Sequence, residues 1–130
     1  MKFLQPPNWS RPKGYSNGVA AKGTPVFVSG IIGWNSQGEF DAVDFAGQVR
    51  QALKNIVEVL AEAHAKPEHI ARMTWYVVDK SEYLSAAKEI GAAYREVIGR
   101  HYPAMSVVEV SGLLEPAARV EIEVTAIVPD

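Results

Sequence analysis

The run from Arg119 to Val128 leaves the least freedom to the rest of the chain. In it Val120, Ile122, Val124, Ala126 and Val128 alternate with Glu121, Glu123, Thr125 and Ile127, the two-residue period of a strand with one apolar face buried. Such a strand needs neighbours for its backbone hydrogen bonds and a cover for its apolar face. The opposite face mixes acids with β-branched residues. If that face is enclosed by a second subunit, a carboxylate such as Glu121 sits where its protonation matters. The run from Ser106 to Val110, with Glu109 inside it, raises the same question.

Two segments have the spacing of covering helices. From Asp41 to about Ala65, the residues Phe45, Val49, Ala52, Leu53, Ile56, Val57, Leu60 and Ala63 mark one helical face, with Asp41 and Asp44 suited to the first turn and Pro67 to the end. Gln48 stands on the buried flank of that helix, as a hydrogen-bonding interface residue or as a plain rim residue. Asp79-Lys80-Ser81-Glu82 reads as a cap with an acid three positions on. Tyr83, Leu84, Ala87, Ile90, Tyr94, Val97 and Ile98 follow on a second helix that Gly99 closes.

The remaining signals are extended. Residues 1–13 are rich in proline and read as an arm whose Trp9 packs on the body or on a neighbouring subunit. Turn signals between Gly14 and Pro25 suit two short strands. Val26 to Ile32 reads as a central strand in which Gly30 marks a bulge or a close backbone approach. His69 to Val78 is aromatic and β-branched enough for a strand at the sheet centre. The order β-β-α-β-α-β-β places residues 1–130 in a single α+β domain, two helices on one sheet. Apolar residues persist on both sides of several strands, which predicts a partner subunit on the open face.

Composition narrows the chemistry. With 15 acids against 13 bases, the net charge of -2 gives no electrostatic reason to expect nucleic acid or an anionic membrane as partner. There is no cysteine, so thiol catalysis, disulfides and cysteine-ligated metals fall together. His64, His69 and His101 lack metal-ligand spacing, and there is neither a phosphate loop nor a G-x-S-x-G elbow. The amino terminus meets Pro6 and Pro7 before an apolar core can form and nowhere do 18 apolar residues run together, which predicts a soluble, cytoplasmic protein. What remains is a polar set, Tyr15, Ser29, Gln48, Glu109 and Glu121, beside an aromatic wall from Trp9, Trp34 or Trp75. The competing reading makes both acids salt-bridge partners at an edge or interface.

Several of these segments, taken in order, carry a resemblance. They are Gly14-Tyr15, Val26-Phe27-Val28-Ser29-Gly30, Gln48 followed by Leu53 and Asn55, Tyr76-Val77-Val78-Asp79, Pro103-Ala104-Met105-Ser106, and Val120-Glu121-Ile122-Glu123 followed by Ala126. Across nearly the whole chain this resembles the Rid (reactive intermediate deaminase) family, also called the YjgF/YER057c/UK114 family. The resemblance implies a chorismate-mutase-like fold, a homotrimer with a central barrel of three sheets, and ligand clefts between subunits. It also implies cofactor-independent hydrolysis of enamines or imines with release of ammonia. Tyr15 matches the family's aromatic cleft residue, Ser29-Gly30 its cleft-floor strand, and Glu121 the carboxylate associated with the attacking water. The arginine that grips the substrate carboxylate in the best-known branch falls on Met105, and the asparagine of the second helix falls approximately on Gly91. A thioether packs against a flat apolar ligand but cannot form a bidentate charged pair.

The Met105 version, with Trp9-Ser10, Gly33-Trp34-Asn35, Arg72-Met73-Thr74-Trp75 and His101-Tyr102-Pro103-Ala104-Met105, resembles a branch some of whose members are described as 2-aminomuconate deaminases. That resemblance implies Glu121 on the water and Glu109 as second carboxylate or proton relay. It places Tyr15 and Asn17 on polar orientation, Ser29 and Gly30 on the cleft floor, and Trp34 with Met105 on a planar diene. Arg72 is the counter-ion if its strand face reaches the cleft, and Trp9, Gln48 and Trp75 belong to the subunit interface. Two other functions remain open: a generic 2-iminoacid deaminase, and a non-catalytic ligand-binding or chaperone-like trimer.

Overall fold

A computed structural model describes residues 1–130. Four strands form the main sheet: β3 (Thr24–Ile32), β4 (Ile70–Val77), β5 (Ala104–Glu109) and β6 (Val120–Val128), in spatial order β3-β6-β4-β5. β6 is antiparallel to both neighbours, and β4 and β5 run parallel. Helices α1 (Phe45–Ala61), α2 (Lys80–Ser85) and α3 (Ala87–Val97) complete the α+β architecture. None is long and apolar enough to cross a membrane.

The alternation in β6 sorts its side chains as its sequence predicts. Val120, Ile122, Val124 and Ala126 are buried with Met73, Trp75 and Val77 of β4. Above them lie Phe45, Val49, Ala52, Leu53, Ile56 and Leu60 of α1 and Ile90 and Tyr94 of α3. Burial of such side chains is worth about 1.5–3 kcal/mol each, so this shared core fixes which face of the sheet the helices cover. The other face carries Phe27, 76% exposed, together with Arg72, Thr74, Tyr76 and Glu123.

Several expectations need correction. The strand beginning near Val26 is at the edge of the sheet, and β6 and β4 take the interior. Strand adjacency is a long-range property that local composition does not encode. The expected arm contains β1 (Lys2–Leu4), which pairs with β2 (Gly18–Ala20) in a separate antiparallel ribbon. Helix α1 starts only after Asp44, whose carboxylate accepts from the Gly47 N–H at 3.2 Å. It ends well before Pro67: His64 adopts φ +56° and the Ala65 N–H donates to the Leu60 carbonyl at 3.0 Å, a left-handed closure usually made by glycine. Ala63 consequently lies outside the helix and is exposed. The second helical segment is broken at Ala86, with no proline or glycine to signal it.

Gln48 is neither an interface residue nor a rim residue. Its side chain is 1% exposed. It donates to the carbonyls of Ala117 (3.0 Å) and Ala42 (3.3 Å) and accepts from the Arg119 N–H at 2.7 Å. A fully paired amide in the core ties α1 to the start of β6, and a polar residue on an apolar flank gives no sequence sign of it. Trp75 is likewise 1% exposed, inside the chain's own core and not at a subunit interface. Trp9, at 62% exposure, does not pack on the body.

Candidate active site

Six of the candidate residues, Ser29, Gly30, Trp34 and Glu121 on one side and Trp75 and Met105 on the other, fall into two separate cavities on one chain. The first is a cleft of about 640 Å³ that includes Ser29, Gly30, Trp34, Asn55 and Glu121. Its floor is made by an irregularity in β3. Val28 pairs with Val124 and Ile31 with Ile122, so β3 carries one more residue than β6 over this stretch, a bulge at Ser29-Gly30. Glu121, the next residue along β6, reaches over the bulge. A methyl group on Gly30 would come within 2.4 Å of the Glu121 Oε2, so glycine is what lets the carboxylate lie there.

The walls of this cleft are set by local chemistry. Asn55 of α1 donates to the carbonyls of Ile32 (3.1 Å) and Trp34 (2.8 Å), fixing the chain after β3 against the helix. Asn35 folds the next turn by accepting from the N–H groups of Gln37 (2.9 Å) and Glu39 (3.0 Å). Trp34 leans on Phe40 with ring centroids 6.0 Å apart. Glu58, Glu62 and Glu115 join Glu121 in the lining, which contains no lysine or arginine. Neither of the chain's two ion pairs, Arg50–Glu96 and Arg119–Glu82, involves Glu121.

The second cavity, about 290 Å³, lies between the helices and the β5 edge and contains Met105 and Trp75. Its walls are aromatic. Tyr94 stacks on Tyr102 at 5.7 Å, and Trp75 meets Tyr83 edge-on at 6.1 Å. The Tyr94 hydroxyl donates to the His101 carbonyl at 2.6 Å. Burial, with a smaller contribution from Tyr102, pushes its pKa up, and burial also raises that of Tyr83. Both phenols are therefore neutral donors at physiological pH.

The other expected site residues lie outside these two cavities. Tyr15 and Asn17 line a neighbouring depression that meets the Met105 cavity at Gly14 and Tyr102, and Asn17 donates to the Gln5 Oε1 at 2.9 Å. Arg72 is on the open sheet face beside Phe27, Thr74 and Glu123, away from both cavities. On this chain Glu109 is not a partner of Glu121. Its carboxylate accepts from the Lys80 N–H at 2.9 Å and, with Asp79 accepting from the Ser81 N–H at 2.8 Å, caps α2. On the open face the Tyr76 hydroxyl donates to Glu123 at 2.7 Å. That hydrogen bond, more than burial, raises the Tyr76 pKa.

Sequence reading missed the three further acids of the first cleft, which come from the end of α1 and the loop before β6. It also missed Lys13 and Arg95, which line the second. Only the fold brings these distant segments together.

Residues 9–128 match the family model described as Endoribonuclease L-PSP. The chain is 28% identical over 114 residues to the human 2-iminobutanoate/2-iminopropanoate deaminase, covering 87% of this chain and 79% of that protein. A crystal structure of a conserved Rid-family protein of unknown function from Yersinia pestis superposes with a TM-score of 0.83 at 30% identity, over 98% of each chain. A Mycobacterium tuberculosis member of the YjgF/YER057c/UK114 family gives a TM-score of 0.67 at 34% identity, over 89% of this chain and 88% of that one. With the family model matched over residues 9–128 and these structures superposing over most of their length, the chain belongs to the Endoribonuclease L-PSP family, known equally as the Rid or YjgF/YER057c/UK114 family.

Proposed function

We propose that the protein hydrolyses a conjugated enamine or imine acid to the oxo acid and ammonia, in a cleft completed by an adjacent copy of the chain in a homotrimer. The observation that carries this reading is the Glu121 carboxylate, held over Gly30 in an open cleft and engaged by no cation. Such a group is free to orient and deprotonate water. The kinship with a human imine deaminase supports the same chemistry. The enamine tautomerises to the imine, and protonation of nitrogen makes the carbon electrophilic. Water adds to that carbon as Glu121 takes one of its protons; Glu121 then returns that proton to the nitrogen of the carbinolamine, the C–N bond breaks to release ammonia, and the hydroxyl proton passes to solvent as the C=O group forms. The four carboxylates of the cleft repel a phosphodiester backbone, which weighs against RNA cleavage there.

The division of the site supports the proposed assembly. Glu121 and Met105 line different cavities on one chain, so a single substrate touches both only where two chains meet. The exposed Phe27 on the uncovered sheet face supplies apolar area for such a contact. Light scattering at micromolar concentration is expected to give three times the subunit mass. A one-subunit mass refutes the assembly, and a dimer or hexamer refutes the three-fold closure.

The substrate we propose is 2-aminomuconate or a close relative, because a thioether and aromatic rings suit a planar diene. The test follows loss of the conjugated chromophore and release of ammonia together, over the spontaneous rate, on 2-aminomuconate, 2-iminobutanoate and a neutral enamine. The conjugated acid is expected to turn over fastest. Preference for the iminobutanoate makes the protein a generic iminoacid deaminase. Rates equal to buffer on all three leave the ligand-binding trimer.

A further inference from the structure

The Met105 cavity has a charge pattern opposite to that of the Glu121 cleft. Its lining includes two cations, Lys13 and Arg95, and no acid. Arg95 projects from α3, and the residues three and four positions away on either side are Gly91, Ala92, Ile98 and Gly99, so no carboxylate is available for an intrahelical pair. The neighbouring acid Glu96 is taken by Arg50, and Glu82 by Arg119. The Arg95 guanidinium folds back along the helix over Gly91, where a methyl group on the glycine would approach its Nη1 to 3.2 Å. A larger residue at 91 would occupy the space the guanidinium uses.

A second observation concerns the walls. Trp75, Tyr83, Tyr94, Tyr102 and Met105 line this same cavity. Flat aromatic walls, an unpaired guanidinium and the absence of any acid describe a receptor for a planar anion.

We infer that Arg95 is the charge partner of a planar, unsaturated carboxylate bound between Trp75, Tyr94 and Met105, and that Gly91 provides the room for it. This rests on the deaminase reading in that the carboxylate belongs to the proposed substrate. The two cavities then divide the substrate between them, the Met105 cavity taking the carboxylate at the end of the diene remote from the nitrogen and the Glu121 cleft the nitrogen-bearing carbon. Arg95 acts in binding and orientation and touches no reacting atom.

The test separates this assignment from catalysis by measuring binding alone. Calorimetry on the intact protein compares sorbate, a planar diene carboxylate, with sorbamide, its uncharged amide. Wild type is expected to prefer sorbate by about tenfold or more, the scale of a charge-assisted hydrogen bond. Arg95→Gln is expected to lose that preference while sorbamide affinity and melting temperature stay as in wild type. Arg95→Lys keeps the charge and is expected to recover part of it. On the conjugated substrate Arg95→Gln raises KM more than it lowers kcat. Equal binding of the two probes by wild type overturns the inference, as does no sorbate binding, an unchanged preference in Arg95→Gln, or a preference abolished by Lys13→Gln instead. An Arg95-dependent preference in a protein that releases no ammonia supports the carboxylate site and refutes the deaminase reading alone.

Discussion

Replacing Glu121 by glutamine is expected to lower kcat on the conjugated enamine acid by about 10²-fold or more, the usual scale for removing a general base. Glutamine keeps the volume and most of the hydrogen-bonding capacity of glutamate and removes only the basic oxygen. Glu121 belongs to neither ion pair of the chain, so its charge stabilises no internal partner. The melting temperature and the assembled mass are expected to stay as in wild type. The measurement is ammonia release under saturating substrate, corrected for spontaneous hydrolysis. Full turnover by the variant removes Glu121 from the chemistry and leaves the acids of the cleft as solvated surface.

A second substitution asks whether the position of that carboxylate matters as much as its presence. Gly30 does not occupy the left-handed region of φ, so alanine is compatible with its backbone. The added methyl group first meets the Glu121 side chain, at 2.4 Å from Oε2, 2.6 Å from Cδ and 3.0 Å from Cγ, and this flexible, partly exposed side chain moves aside at small cost in stability. Gly30→Ala is therefore expected to fold as wild type and to lose about 10²-fold in kcat, since displacement of a reacting group by about 1 Å costs that much. Wild-type kcat in Gly30→Ala, with a defective Glu121→Gln, would mean that the base reaches its water from either position. A loss of folding instead would place the glycine in the sheet's structural economy.

These two residues also show what sequence reveals well. The alternation from Val120 to Val128 announces both the buried face and the outward direction of Glu121, because side-chain direction in a strand follows from counting by two. The face of α1 from Phe45 to Leu60 is legible for the same reason at a period of 3.6. Gly30 was readable as a bulge or close approach, though not which group approaches. Gln48 and Trp75 were misplaced because burial of an amide or an indole depends on partners far along the chain, here Ala117 and Arg119 for Gln48. Glu109 reads from sequence as a catalytic partner because an acid in a strand carries no mark that it caps a helix. For Arg95 a signal existed, a cation flanked at helical spacing by Gly91, Ala92, Ile98 and Gly99 and so denied a carboxylate. It becomes informative only once the cavity beneath it is known.

The bulge in β3 admits a simple arithmetic. From Thr24 to Val28 the paired residue numbers of β3 and β6 add to one constant, and from Ile31 onward they add to that constant plus one. Deleting either Ser29 or Gly30 on paper restores one unbroken register. Val26, Val28 and Ile31 would still face Ala126, Val124 and Ile122 beneath the helices, as they do now. A chain one residue shorter would thus have the same interior. Nothing in the core asks for the additional residue, and what it changes is the shape of the surface beneath a single carboxylate.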